Sequence, residues 1–312
     1  MCTAGVYAIL VSPGGHMRLN AAALVLVACG LVPVSSAAQT AGLAPPRYGM
    51  PYGDNRNASA VEEVNGIKLY VETYGKGQPM LQIHGNGESI ASMGHQIEYF
   101  SNRYRVIAAD SRGHGKSEMG SGRLTYEQMA DDLNALLEKR GLKSVYVLGW
   151  SDGGILGLLL AIRHPDKVGR LASMGANLNP AGAYEWALEL VKAKEKQIDQ
   201  MIAKRDTSQP WARLKQYFDL LGKQPNIPVA QLKAITVPTL VMAGDRDVIA
   251  DVHTLEIFHN LPNSQLAIFP GATHMIPWQN PELFNQTVET FFTKPFTKPD
   301  TRDILSAMMA TN

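Results

Sequence analysis

The sequence predicts an α/β protein: a mostly parallel twisted sheet with helices on both faces and a helical cap inserted late in the sheet. Three observations predict it. Short apolar, β-branched runs alternate with helical patterns, which favours parallel strands joined by crossover helices. The later strand-like runs end in polar, Gly-containing loops such as "GWSDGG" and "GDRD". From about residue 177 to 235 the spacing is helical, with no strand signal.

The elements follow in order. "SAVEEVNGIKLYVETYG" carries two alternating runs around Asn65-Gly66, the pattern of a β-hairpin. Pro79 to Ile83 reads as a strand ended by "HGNGES", and Tyr104 to Ala109 as another ended by "DSRGHGKS", with a helix over Gln96 to Phe100 between them. Leu124 to Arg140 has helical spacing and stops at Gly141. Val145 to Leu148 is a buried strand. Asp152 to His164 is apolar on nearly all sides, the mark of a buried helix, and Pro165 stops it. Leu171 to Met174 is the sixth strand. In the segment that follows, Tyr184, Leu188, Val191, Ile198 and Ile202 form an imperfect apolar stripe, and a second piece holds Trp211, Leu214, Tyr217, Phe218 and Leu221. This 177–235 insertion lies where it would cover the strand ends at which open α/β sheets bind ligands. Pro238 to Ala243 and Gln265 to Phe269 are the last strands, with helices near His253–Asn260 and Pro281–Thr293. The core is thus assigned to 59–176 and 236–294, with a C-terminal tail over 295–312.

The N-terminus differs in kind. Across residues 1–38 Arg18 is the sole charged side chain, followed by the apolar run Ala21 to Val34 and then "SSAAQT". Charge, apolar run and small residues at a cleavage point predict a signal peptide over 1–38, with Met17 as an alternative start and export to the periplasm or medium. The run is short for a membrane span and is interrupted by Gly30 and Pro33, so no stable membrane insertion is expected after its removal. Leu26-Val27-Ala28-Cys29 resembles a lipoprotein box, a second route for the same leader. Residues 39–58, rich in Pro, Gly and Asn, read as a linker or loosely docked arm.

Composition narrows the chemistry. Formal net charge is +1 over 312 residues, and loss of Arg18 with the leader leaves 28 basic against 28 acidic residues. No basic face for nucleic acid is expected. Both cysteines, Cys2 and Cys29, lie in the leader, which removes thiolate nucleophiles and disulfides from the mature chain. The eight histidines show no metal-binding spacing, and no cofactor is required.

Gly149-Trp150-Ser151-Asp152-Gly153 matches G-x-S-x-G between a buried strand and a buried helix. The chain must turn sharply there, and small flanking residues let strand and helix approach, so Ser151 stands at the top of the sheet. A Gly-rich turn with an incidental serine is the plain alternative. Serine is a weak nucleophile without a base, and in this arrangement the order is serine, acid, histidine. Asp247 follows the seventh strand in "GDRD" and His274 follows the eighth in "GATH". Asp245 is the rival acid; Asp247 is preferred because the loop needs a residue or two to clear the strand. The tetrahedral intermediate needs two backbone donors, assigned to Asn86 in "HGNG" and to Asp152 after the nucleophile. Trp150 and Trp278 are candidates for an apolar substrate wall.

These residues together resemble the α/β-hydrolase family, over roughly residues 60 to 294. Its landmarks here are "HGNG" (84–87), "DSRGHGKS" (110–117), "GWSDGG" (149–154), "GDRD" (244–247) and "GATH" (271–274). The resemblance implies Ser151 as nucleophile, Asp247 as acid, His274 as base and the late insertion as a lid. "GWSDGGI" and "GAN" (175–177) are similar to the valacyclovir hydrolase group, which implies that Asp152 meets a substrate amino group. Asp152 also fits as a helix N-terminal acid that complements the dipole, and that is the reading preferred here. The expected reaction is hydrolysis of a small carboxylic ester, amide or lactone. An acyltransferase, a lyase or a cofactor-free perhydrolase would use the same residues, and a binding protein on the scaffold is the non-enzymatic alternative. Oligomeric state is open.

Overall fold

The computed structural model describes residues 48–310, so the leader, both cysteines and the start of the 39–58 segment lie outside the described residues. Eight strands, β1 (Ser59–Val64), β2 (Ile67–Tyr74), β3 (Gln78–Ile83), β4 (Tyr104–Ala109), β5 (Val145–Trp150), β6 (Val168–Met174), β7 (Thr239–Arg246) and β8 (Ser264–Thr273), build one sheet. Their order is β1-β2-β4-β3-β5-β6-β7-β8. The pairs β1–β2 and β2–β4 are antiparallel, and every pair from β4 across to β8 is parallel. The opening hairpin turns at Asn65 (φ 44°) and Gly66 (φ 75°), the paired positive angles that an Asn-Gly dipeptide supplies.

The helices are α1 (Gly94–Phe100), α2 (Tyr126–Lys139), α3 (Asp152–Arg163), α4 (Glu185–Ala203), α5 (Trp211–Lys223), α6 (Asp251–Asn260), α7 (Ile276–Gln279), α8 (Pro281–Thr293) and α9 (Thr301–Ala310). Thr125 caps α2 by accepting from the Gln128 N–H at 3.1 Å, and Asn280 caps α8 through the Leu283 N–H at 3.2 Å. Each satisfies a donor that the helix leaves unpaired.

Alternation along the strands divides the core between two faces. On β5, Val145 and Val147 pack with α2 and α3, whereas Leu148 and Trp150 pack with α1 and α8. Helix α3 is buried through almost its whole length, which is why its sequence is apolar all round. Strands β5 to β8 run further than side-chain patterning predicts. The parallel ladder between β7 and β8 continues past Gly244 to Arg246 opposite Thr273, through a register shift, so backbone pairing sets their ends.

Helices α4 and α5 form the cap between β6 and β7. Helix α5 buries Trp211, Leu214, Tyr217 and Phe218, but α4 buries Ile198 alone, and Tyr184 and Ile202 of the expected stripe are exposed. The described part of the 39–58 segment is docked. Its Gly53 and Asn55 N–H groups each donate to the buried Glu72 carboxylate at 2.8 Å, and Tyr48 sets its ring edge against His95. Beyond α8 the tail forms α9, exposed at every described position. Among the described residues no helix is long and apolar enough to cross a membrane.

Candidate active site

The sheet order reverses around β3, which sits between β4 and β5. Loops leaving the carboxyl ends of adjacent parallel strands converge beside such a switch point. Those loops carry His84 after β3, Ser151 after β5 and the residues around Asp247 and His274 after β7 and β8.

Ser151 stands between β5 and α3 with φ 58° and ψ −120°. Side chains rarely adopt positive φ, and such strain persists only where surroundings enforce it. Here the Ser151 N–H donates to the Met174 carbonyl at 2.8 Å, and its own carbonyl accepts from the Gly154 N–H at 2.8 Å. The flanking glycines make the approach feasible: a Cβ on Gly149 would lie 2.0 Å from the Gly153 carbonyl oxygen, and one on Gly153 would lie 2.1 Å from that of Ile83.

His274 Nε2 lies 2.9 Å from Ser151 Oγ, and His274 Nδ1 lies 2.6 Å from Asp247 Oδ1. An ionised Asp247 is an acceptor, so Nδ1 carries the proton and Nε2 is left to accept from the serine hydroxyl. Asp247 is buried and also accepts from the Ile249 N–H at 3.1 Å and the Gly244 N–H at 3.2 Å. Burial pushes its carboxyl up, but the neighbouring His274 and these donors outweigh that and hold it below the usual carboxylate range. Burial pushes His274 down, but the Asp247 charge, its hydrogen bond and the Asp152 charge leave it above the ordinary imidazole value. Asp245, the rival acid, is exposed at the end of β7.

Asn86 and Asp152 are joined by their side chains: Asn86 Nδ2 donates to Asp152 Oδ2 at 2.9 Å. The second Asp152 oxygen accepts from the Tyr126 hydroxyl at 2.8 Å. Burial pushes the Asp152 carboxyl up to about 6, moderated by these two donors and by His274. Gly85 runs against the serine, so closely that a Cβ there would stand 3.2 Å from Ser151 Cβ. His84 fixes this loop from behind. Its Nε2 accepts from the Ser111 N–H at 3.0 Å, which leaves Nδ1 to donate to the Gly85 carbonyl at 2.8 Å.

Trp150 is buried, and its indole N–H donates to the His274 carbonyl at 2.8 Å; its ring meets Trp278 edge-on at 4.9 Å. The Trp278 N–H in turn donates to the Ser92 carbonyl at 2.7 Å. Both tryptophans therefore brace the histidine loop. Sequence reading missed Tyr126 and Tyr217. Tyr126 reads as an ordinary core residue at the start of a helix, and nothing in its spacing marks a contact with Asp152. Tyr217, in the cap, stacks on His114 at 4.3 Å and donates to the Gly113 carbonyl at 2.6 Å.

Fold and site together define an enzyme of the α/β-hydrolase fold. The family model described as "alpha/beta hydrolase fold" matches residues 78–209. Over 250 residues the chain is 27% identical to the serine hydrolase BPHL of Mus musculus, spanning 75% of this chain and 86% of that protein. It is also 27% identical to 3-oxoadipate enol-lactonase 2 of Acinetobacter baylyi, across 72% of this chain and 92% of the relative. A solved structure of a thermophilic esterase from Thermogutta terrifontis superimposes with a TM-score of 0.61 at 25% identity, covering 77% of this chain and 99% of that one.

Proposed function

We propose that this chain is a serine hydrolase that cleaves carboxylic esters, small lactones included, by acyl-enzyme chemistry. One observation carries the reading: the unbroken hydrogen-bond chain from Ser151 through His274 to Asp247, at 2.9 and 2.6 Å. Lactone and ester hydrolysis among the similar proteins supports it.

In this reading the Ser151 hydroxyl attacks the substrate carbonyl while His274 Nε2 takes its proton. Asp247 holds the imidazole in the required tautomer and stabilises the cation that forms. The oxyanion is held by the backbone N–H groups of Asn86 and Asp152. Two features favour that pair: Gly85 lies against Ser151, and neither N–H donates to another group among the described residues. His274 then protonates the leaving alcohol, and a water repeats the sequence on the acyl-enzyme. The charged, apolar and small-residue pattern of the leader supports a substrate met outside the cytosol; intact leader on protein recovered from the cytosol alone would contradict export.

The test is Ser151→Ala, assayed on p-nitrophenyl esters of graded acyl length. If the three side chains act as a unit, kcat falls by about 10⁶-fold. Near-normal turnover by a clean preparation of the variant overturns the assignment.

A further inference from the structure

A second line of hydrogen bonds runs beside the Ser-His-Asp chain. It starts at the Tyr126 hydroxyl, at the first turn of α2, passes to Asp152 Oδ1 at 2.8 Å, and leaves from Asp152 Oδ2 to Asn86 Nδ2 at 2.9 Å. The Asn86 amide also donates to the backbone carbonyl of Tyr217 in cap helix α5, at 3.2 Å. Asp152 and Tyr126 are both buried. The two residues joined at the centre of this line are the same two whose backbone N–H groups serve as oxyanion donors under the proposed function, on which this inference rests.

Oxyanion donors act through geometry set before the reaction begins. One donor here belongs to the loop after β3 and the other to the elbow after β5, segments distant in the chain. A side-chain bond from an amide to a carboxylate ties them directly, and charge assistance makes it stronger than a neutral one. Tyr126 holds the far side of the same carboxylate. An incoming ammonium would find both oxygens already accepting a bond and the side chain closed off from solvent, the opposite of an open anchor. The other titratable group facing Asp152 is His274, whose cation the carboxylate supports.

We propose that Asp152 is a positioning residue: clamped between Tyr126 and Asn86, it sets the separation of the two oxyanion donors and does not recognise a substrate's amino group. The cap shares the clamp through the Tyr217 carbonyl, so the seating of α5 and the shape of the hole are linked.

The test compares Tyr126→Phe, Asn86→Ala and Asp152→Asn with the parent on a matched pair of p-nitrophenyl esters, one aminoacyl and one with the amino group replaced by hydrogen. A trifluoromethyl ketone of the neutral acyl group, whose adduct places an oxyanion in the hole, reports donor geometry. Active-site titration with a fluorophosphonate and a thermal melt normalise each variant for folded enzyme. Tyr126→Phe and Asn86→Ala should lower kcat about ten-fold, a fraction of the loss from deleting a donor outright. KM should stay within about two-fold, and ketone affinity should fall by the same factor as kcat/KM. In Asp152→Asn both esters should lose rate together. The proposal is overturned if Asp152→Asn raises KM for the aminoacyl ester alone, or if Tyr126→Phe leaves ketone affinity unchanged; where Asp152→Asn fails to fold, the Tyr126→Phe result decides. A parent protein that takes up no fluorophosphonate and cleaves neither ester removes the underlying esterase reading as well, an outcome distinct from both.

Discussion

The Trp150 indole N–H donates to the His274 carbonyl over 2.8 Å, so the residue before the proposed nucleophile holds the backbone of the proposed base. Replacing Trp150 by Phe keeps a ring in the core but leaves that carbonyl unpaired. The expected cost is about 1–3 kcal/mol of stability, read as a lower midpoint in urea. Because the carbonyl belongs to His274 itself, kcat should fall more than KM rises. A variant with parental midpoint and kcat would show that the loop is held elsewhere.

The pH profile follows from His274. Only its neutral form accepts the Ser151 proton, and its pKa lies above the ordinary value because Asp247 and Asp152 favour the cation more than burial opposes it. The acid limb of kcat/KM should therefore have its midpoint above about 6.5. Asp247→Asn removes the nearer charge, so the limb should move to lower pH while the plateau drops about 10⁴-fold through loss of the correct tautomer. A limb that stays in place in the variant would separate Asp247 from His274 in function.

Gly153 tests the close contact of strand and helix. A Cβ there meets the Ile83 carbonyl oxygen at 2.1 Å and that of His84 at 3.0 Å, both backbone atoms that cannot swing aside. Gly153→Ala should destabilise by about 3 kcal/mol and pull Ser151 away from the loop after β3. Calorimetry with fluorophosphonate labelling would read both effects, and a variant unchanged in melting temperature would contradict the packing.

Asp110 is a structural counterpart. Its two oxygens accept from the Ile90 N–H at 2.8 Å and the Lys116 N–H at 2.7 Å, and burial pushes its carboxyl up to about 6. In Asp110→Asn one amide face must point its own N–H groups at a backbone N–H, at a cost of about 1–3 kcal/mol. The raised pKa sets the sign with pH: the folded state holds the proton more tightly, so the stability Asp110 contributes falls as pH rises through about 6. The gap between parent and variant should narrow between about pH 4 and about pH 6 in urea melts. A gap that widens would contradict this sign.

Much of the fold was legible because burial leaves a local trace. Alternation marked β1 and β2, Asn65-Gly66 marked their turn, and the all-apolar run after Asp152 marked α3. Ser151, Asp247 and His274 stood out because each follows a strand in a fixed order, and the structure brings the three into hydrogen-bonding contact. Helix α4 was harder to read: a stripe such as Tyr184 to Ile202 looks the same whether it faces a sheet or water. The ends of β7 and β8 were illegible for another reason, since ladder bonds past Gly244 depend on the neighbouring strand and not on side-chain type.

By itself the sequence determined the eight strand segments and the longer helices of the core, and which loops carry a hydroxyl, an imidazole and a carboxylate. Those properties follow from periodicity and from residues adjacent in the chain. Tertiary structure alone decided that the Asp152 carboxylate is spent on Tyr126 and Asn86, and that Trp150 braces His274. Each of those contacts joins residues far apart in the chain that only the folded sheet brings within 3 Å, and no local pattern encodes a partner so far away.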